Sequence, residues 1–133
     1  MKYLLLIYGD EAGMLAASKE TVGQMMAAYG AYTEAVKKSG VYVGSNRLRP
    51  TASGTTVRVA NGKTEVLDGP YAETKEQLGG IGVLEARDMN HAVQLMSQHP
   101  SLKYGTLWEI RPTHDMSEII RASEQRRRQT TVR

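Results

Sequence analysis

The chain has 133 residues, which one domain with its own core accounts for; a second independent domain is not expected. Hydrophobic residues make up 41% and charged residues 23%, a balance that separates it from disordered and membrane-spanning classes. There is no cysteine, so disulfides, thiolate metal sites and cysteine nucleophiles are excluded. The net charge of +3 is uneven: five arginines against three carboxylates give residues 113–133 a charge of +2, and the preceding 112 residues carry only +1. No basic face for nucleic acid is therefore expected.

Lys2 to Tyr8 is a near-continuous apolar run, too short for a signal-peptide core and ended abruptly by Gly9, Asp10 and Glu11. It reads as the first, central strand of a sheet. No segment approaches the roughly eighteen uninterrupted apolar residues of a membrane-spanning helix, so a soluble, cytoplasmic protein is expected. Thr21 and Gln24 form a candidate capping box, after which Val22, Met25, Met26, Tyr29 and Val36 recur at helical spacing. Lys37, Lys38 and Gly40 mark the end of that helix.

Val41 to Leu48 resumes strand character, and Pro50 to Gly54 is a loop. Thr55–Ala60 and Lys63–Leu67 flank Asn61-Gly62, the dipeptide that best tolerates the positive φ angles of a tight hairpin turn. Asp68-Gly69-Pro70 stops the second arm; a polar run from Tyr71 to Gln77 then leads through Leu78-Gly79-Gly80 to a short strand, Ile81–Ala86. Asp88 caps a second helix containing Ala92, Val93, Leu95 and Met96, and Thr106–Arg111 is the closing strand. A tail helix starts near Asp115, which with Glu118 repeats a capping signal.

This order predicts an α+β fold: a ferredoxin-like β-α-β-β-α-β antiparallel sheet with one added strand, helices on one face only, and a C-terminal helical tail. The uncovered face needs a partner, and two sheets packed face to face give a symmetric homodimer. The domain spans residues 1–112, and residues 113–133 form the basic tail.

The stretch Thr55-Thr56-Val57-Arg58-Val59, Asn61-Gly62-Lys63 and Asp68-Gly69-Pro70-Tyr71-Ala72-Glu73-Thr74-Lys75-Glu76-Gln77-Leu78-Gly79-Gly80 resembles the signature of YCII-related proteins with a DGPF-type motif. Met1 to Tyr8 and Trp108-Glu109-Ile110-Arg111-Pro112 extend the resemblance over residues 1–112. It implies a ferredoxin-like, dimeric α+β barrel from a family mostly without an assigned reaction, some of whose members are encoded beside extracytoplasmic-function sigma factors. Tyr71 stands where the motif usually has Phe. More distant YCII-like proteins are linked to a His-Asp pair and to lactone or dehalogenation chemistry, whereas His91, His99 and His114 all fall late in this chain.

Candidate chemistry centres on the Asp-Gly-Pro loop. Asp68 and Glu73 are the candidate catalytic carboxylates, and Arg58, Tyr71, Lys75, Glu76 and Arg47 are candidate substrate contacts, since a carboxylate beside a cation suffices for proton abstraction. Each has a structural counterpart: Asp68 as a turn residue accepting backbone N–H groups, and Glu73, Lys75 and Glu76 as a solvated, mutually paired segment. No cofactor motif is present, and the isolated histidines lack metal-binding spacing, so neither a cofactor nor a metal is expected. Two functions stay open: a cofactor-independent small-molecule enzyme of lyase or isomerase type, or ligand-binding barrel; and a non-catalytic regulatory or interaction dimer, for which the resemblance suggests a link to sigma-factor-dependent transcription.

Overall fold

Apolar alternation along the first strand sets the layout. In the computed structural model, which describes residues 1–131, β1 (Lys2–Gly9) lies inside a four-stranded antiparallel sheet between β5 (Gln77–Glu85) and β6 (Leu107–Pro112), with β2 (Tyr42–Arg47) at the far side of β5. Arg133, counted above with the tail, lies outside the described residues. The spatial order β2-β5-β1-β6 is the ferredoxin-like arrangement.

Successive side chains of a strand point to opposite faces, which separates Tyr3, Leu5 and Ile7 from Leu4, Leu6 and Tyr8. Tyr3 and Leu5 are buried with Leu84 of β5, and they share one core with Val36 of α2 (Lys19–Lys38) and with Ala92 and Met96 of α3 (Met89–Met96). Leu84, at 1% exposure, and Met25, at 2%, are among the most enclosed side chains. Complete burial of such a residue contributes about 1.5–3 kcal/mol. Leu4, Leu6, Ile81 and Val83 lie on the other face and are only half-buried.

The α2 helix begins earlier than the Thr21 capping box predicts. Ser18, in extended backbone, is the N-cap, and its Oγ accepts the Thr21 N–H at 3.1 Å. A short helix absent from the sequence reading, α1 (Glu11–Ala16), fills the turn between β1 and α2 and buries no residue. Asp88 caps α3 as expected, accepting the His91 N–H at 2.8 Å.

The hairpin differs from the single added strand that was expected. β3 (Thr55–Ala60) and β4 (Lys63–Asp68) pair only with each other in a separate two-stranded sheet, joined by Asn61 at φ 52° and Gly62 at φ 76°. The single connection from β2 to β5, through the hairpin and then the polar run, therefore lies outside the main sheet. The strand after the run also starts sooner than Ile81: Gly79 and Gly80 belong to β5, where Ile7 pairs with Gly80 and Tyr8 with Leu78, leaving Gly79 as a bulge. The tail forms α4 (Ser117–Thr131), after Asp115 accepts the Ser117 N–H at 3.0 Å. Among the described residues no helix is long and apolar enough to cross a membrane.

Candidate functional site

The register across the sheet creates a hollow. Arg47, Gly80, Ile7 and Trp108 form one cross-strand row on the face beneath α2, and Ser45, Gly82, Leu5 and Ile110 form the next. Two of the central positions are glycine, so no side chain rises there. A Cβ built on Gly80 would stand 3.2 Å from Ile7 Cδ1, and one on Gly82 would stand 3.3 Å from Leu5 Cδ1. Above this floor α2 presents Val22, Met25, Met26, Tyr29, Thr33 and Val36, and a cavity of about 390 Å³ lies between helix and sheet. Most of its wall is apolar, with Met96 and Trp108 at the α3–β6 side and Met14 and Leu15 of α1 at the other end.

Polar groups gather at the β6 side. The short 3-10 turn Pro100–Tyr104 is capped by its own neighbour: His99 Nδ1 accepts the Ser101 N–H at 3.0 Å. That bond occupies the Nδ1 lone pair, so the neutral ring carries its proton on Nε2. Ser101, 2% exposed, receives the Trp108 indole N–H at 2.9 Å and the Thr106 hydroxyl at 2.7 Å on its Oγ. Three rings surround the imidazole, with centroids at 5.2 Å for Tyr29, 4.8 Å for Tyr32 and 4.5 Å for Trp108.

This enclosure decides the protonation of His99. Removal from water disfavours the imidazolium and pushes the pKa down to about 4, so the ring is neutral near pH 7. Burial likewise raises the phenol of Tyr29, opposed by Ser101 beside it and more weakly by the charge of Arg47. Tyr32 is raised by burial too, and its hydroxyl donates to the Leu95 carbonyl. The resulting set is a neutral donor imidazole, a protonated phenol and a guanidinium at the edge of an apolar hollow.

At the opposite end, Glu11 fastens α1. Its carboxylate accepts the Thr51 N–H at 2.7 Å and the Thr51 hydroxyl at 2.8 Å, while its own N–H donates to Gln77 Oε1 at 2.9 Å. These bonds join α1 to the loop after β2 and to the start of β5, closing the cavity wall there.

A family model described as the YCII-related domain matches residues 1–117, ending at the first residue of α4. The chain belongs to the YCII-related family. An uncharacterised protein of Rhizobium meliloti (strain 1021) is 34% identical over 113 residues, which is 84% of this chain and 91% of that protein.

In this YCII-related chain the predicted site residues fall into two places. Arg47 lines the cavity, its Nη1 3.7 Å from Met26 Sδ. Asp68 lies at the exposed end of β4, and its carboxylate has no hydrogen-bond or ion-pair partner among the described residues. The turn is instead held by Gly69, at φ 86°: its N–H donates to the Gly54 carbonyl at 2.7 Å, and its carbonyl accepts the Thr56 hydroxyl at 2.9 Å. The expected bonds from backbone N–H groups to the Asp68 carboxylate are therefore replaced by bonds of the glycine backbone. Arg58 pairs with Glu65 across the hairpin at 2.8 Å. Tyr71, 87% exposed, and Glu73 and Lys75 lie on the exposed polar run, whereas Glu76 is half-buried and its carbonyl accepts the Thr74 hydroxyl.

His99, Ser101, Tyr29 and Gly82 went unnoticed as a group. No carboxylate or second histidine lies at metal-binding spacing from His99; its hydrogen-bond partner Ser101 and ring neighbour Trp108 are near in sequence, whereas Tyr29 and Tyr32 come from α2. A usable signal was Gly80-Ile81-Gly82, since glycines two apart on a strand strip one face of side chains.

Proposed function

We propose that this protein binds a small, mostly apolar molecule with at least one hydrogen-bond acceptor in the hollow between α2 and the sheet. The observation that carries the reading is the space of about 390 Å³ left between α2 and the sheet, where Ile7 and Leu5 lean over Gly80 and Gly82 and no larger side chain fills the floor. Protein interiors are otherwise close-packed, and small-molecule sites commonly measure about 300–1,000 Å³. A mostly apolar wall with a few converging polar groups is the usual form of such a site.

His99 gives the polar end its chemical character. A neutral imidazole whose Nδ1 is occupied is a poor proton acceptor, and it offers Nε2–H to a carbonyl or hydroxyl oxygen. In a cofactor-independent lyase or isomerase reaction it would act as a hydrogen-bond donor to developing charge on oxygen. The same hollow serves a binding protein with no chemical step.

The protein acts as a homodimer in this reading. The helices cover one face of the sheet, and Leu4, Leu6, Ile81 and Val83 leave an apolar strip on the other that a second copy would cover. Sedimentation near neutral pH is expected to give twice the chain mass; a single-chain mass would remove this part.

A thermal-shift screen of small ketones, lactones and aromatic carbonyl compounds tests the binding reading, because ligands of the native state raise its apparent stability. Wild type is expected to show hits that Gly80→Val loses while keeping its circular dichroism, since the new side chain meets Ile7 Cδ1, 3.2 Å from its Cβ, and displaces the Ile7 side chain into the hollow. Hits retained by Gly80→Val, or none in wild type, would contradict the assignment.

A further inference from the structure

The charge at the rim of the hollow bears on the class of ligand. Arg47 ends β2 opposite Gly80, so its side chain rises on the face that carries the cavity. Its guanidinium reaches α2, where the thioether of Met26, a weak acceptor, is its hydrogen-bond partner at 3.7 Å. Among the described residues Arg47 is in no ion pair, as is also true of Arg49, Arg87 and Arg121, but of these it alone lines the hollow. The carboxylate of Glu11, also on the cavity wall, is engaged by Thr51. The remaining donors of Arg47 are thus presented beside an apolar chamber.

We propose that the ligand is an amphipathic carboxylate, with its apolar body above Gly80 and Gly82 and its carboxylate on the guanidinium of Arg47. A planar guanidinium offers two parallel N–H donors that match the two oxygens of a carboxylate. The row Arg47–Gly80–Ile7–Trp108 places this cation and the aromatic wall at opposite ends of one trough, with Gly80 and the Ile7 side chain that leans over it between them. Arg47 is exposed at the rim, so its guanidinium can turn between water and the mouth of the hollow, and a carboxylate there would gain a charge-assisted pair that a neutral ligand would not. This inference rests on the hollow being a ligand site.

The test uses a matched pair, hydrocinnamate and its uncharged amide, titrated calorimetrically near neutral pH into wild type, Arg47→Gln and Arg121→Gln. The last variant makes the same charge change on the exposed tail helix. Wild type and Arg121→Gln are expected to bind the carboxylate about tenfold more tightly than the amide. Arg47→Gln is expected to lose that preference while holding the amide as wild type does, which also shows that the variant is folded. Equal binding of acid and amide by wild type would overturn the anion assignment and leave the hollow as a site. A preference that survives in Arg47→Gln would overturn the role of Arg47. Binding of neither compound would overturn the cavity reading and this inference with it.

Discussion

The imidazole of His99 lies 4.5 Å, centroid to centroid, from the indole of Trp108, and Ser101 bonds to both: its N–H donates to His99 Nδ1 and its Oγ accepts the Trp108 indole N–H. One buried serine thus links the turn after α3 to β6 and fixes the wall of the hollow. The geometry also keeps His99 neutral, because enclosure by rings removes water without supplying a carboxylate.

That neutrality carries a pH dependence. The folded pKa of about 4 is below the ordinary value near 6.5, so the unfolded chain takes up the proton first as pH falls. Stability is complete above the unfolded value, is lost as pH drops from about 6.5 to about 4, and levels off below that. With allowance for partial solvent screening the loss is about 1–2 kcal/mol. Urea denaturation across this range is expected to show a shallower slope for His99→Gln than for wild type.

Removing the hydroxyl that Trp108 and Thr106 share is expected to be costly. Ser101→Ala strands two donors in a buried place, a loss of about 2–4 kcal/mol at about 1–3 kcal/mol for each unsatisfied group, offset in part by relaxation. The denaturation midpoint should fall, and the fluorescence of Trp108, the chain's single tryptophan, should shift to the red as water reaches the indole.

Glu11 makes a contrasting prediction. Since α1 buries no side chain, its attachment depends on polar contacts such as the Glu11–Thr51 pair. Glu11→Ala is expected to speed amide exchange in residues 11–16 while changing global stability by about 1 kcal/mol or less. Unchanged exchange there would show that α1 is held by other contacts.

Much of the fold was legible because its signals are local. The apolar run of β1, the Asn61-Gly62 turn and the Asp88 cap each depend on a few adjacent residues, and each appears where the sequence puts it. Local signals also misled: Thr21 and Gln24 match a capping box, yet Ser18 does the capping because extended backbone there frees its hydroxyl for the third N–H. The hairpin's departure from the sheet was invisible, since strand propensity does not name a partner. The cavity was the least legible part. Its floor is made of absent side chains, and its polar end joins Tyr29, His99, Ser101 and Trp108 across three elements. The run from Asp68 to Glu76 stands out in the sequence by its density of charge, yet most of its residues are exposed and none of them lines the hollow.

The seven methionines allow the most direct test of the central claim. Met14, Met25, Met26 and Met96 line the hollow, whereas Met1, Met89 and Met116 stand away from it. In protein carrying carbon-13 only at methionine methyl groups, titration with benzylacetone, a neutral aromatic ketone, is expected to move the resonances of Met25, Met26 and Met96 in a saturable manner and leave Met89 and Met116 in place. Methyl resonances that stay still throughout, or that move only outside the hollow, would contradict the account.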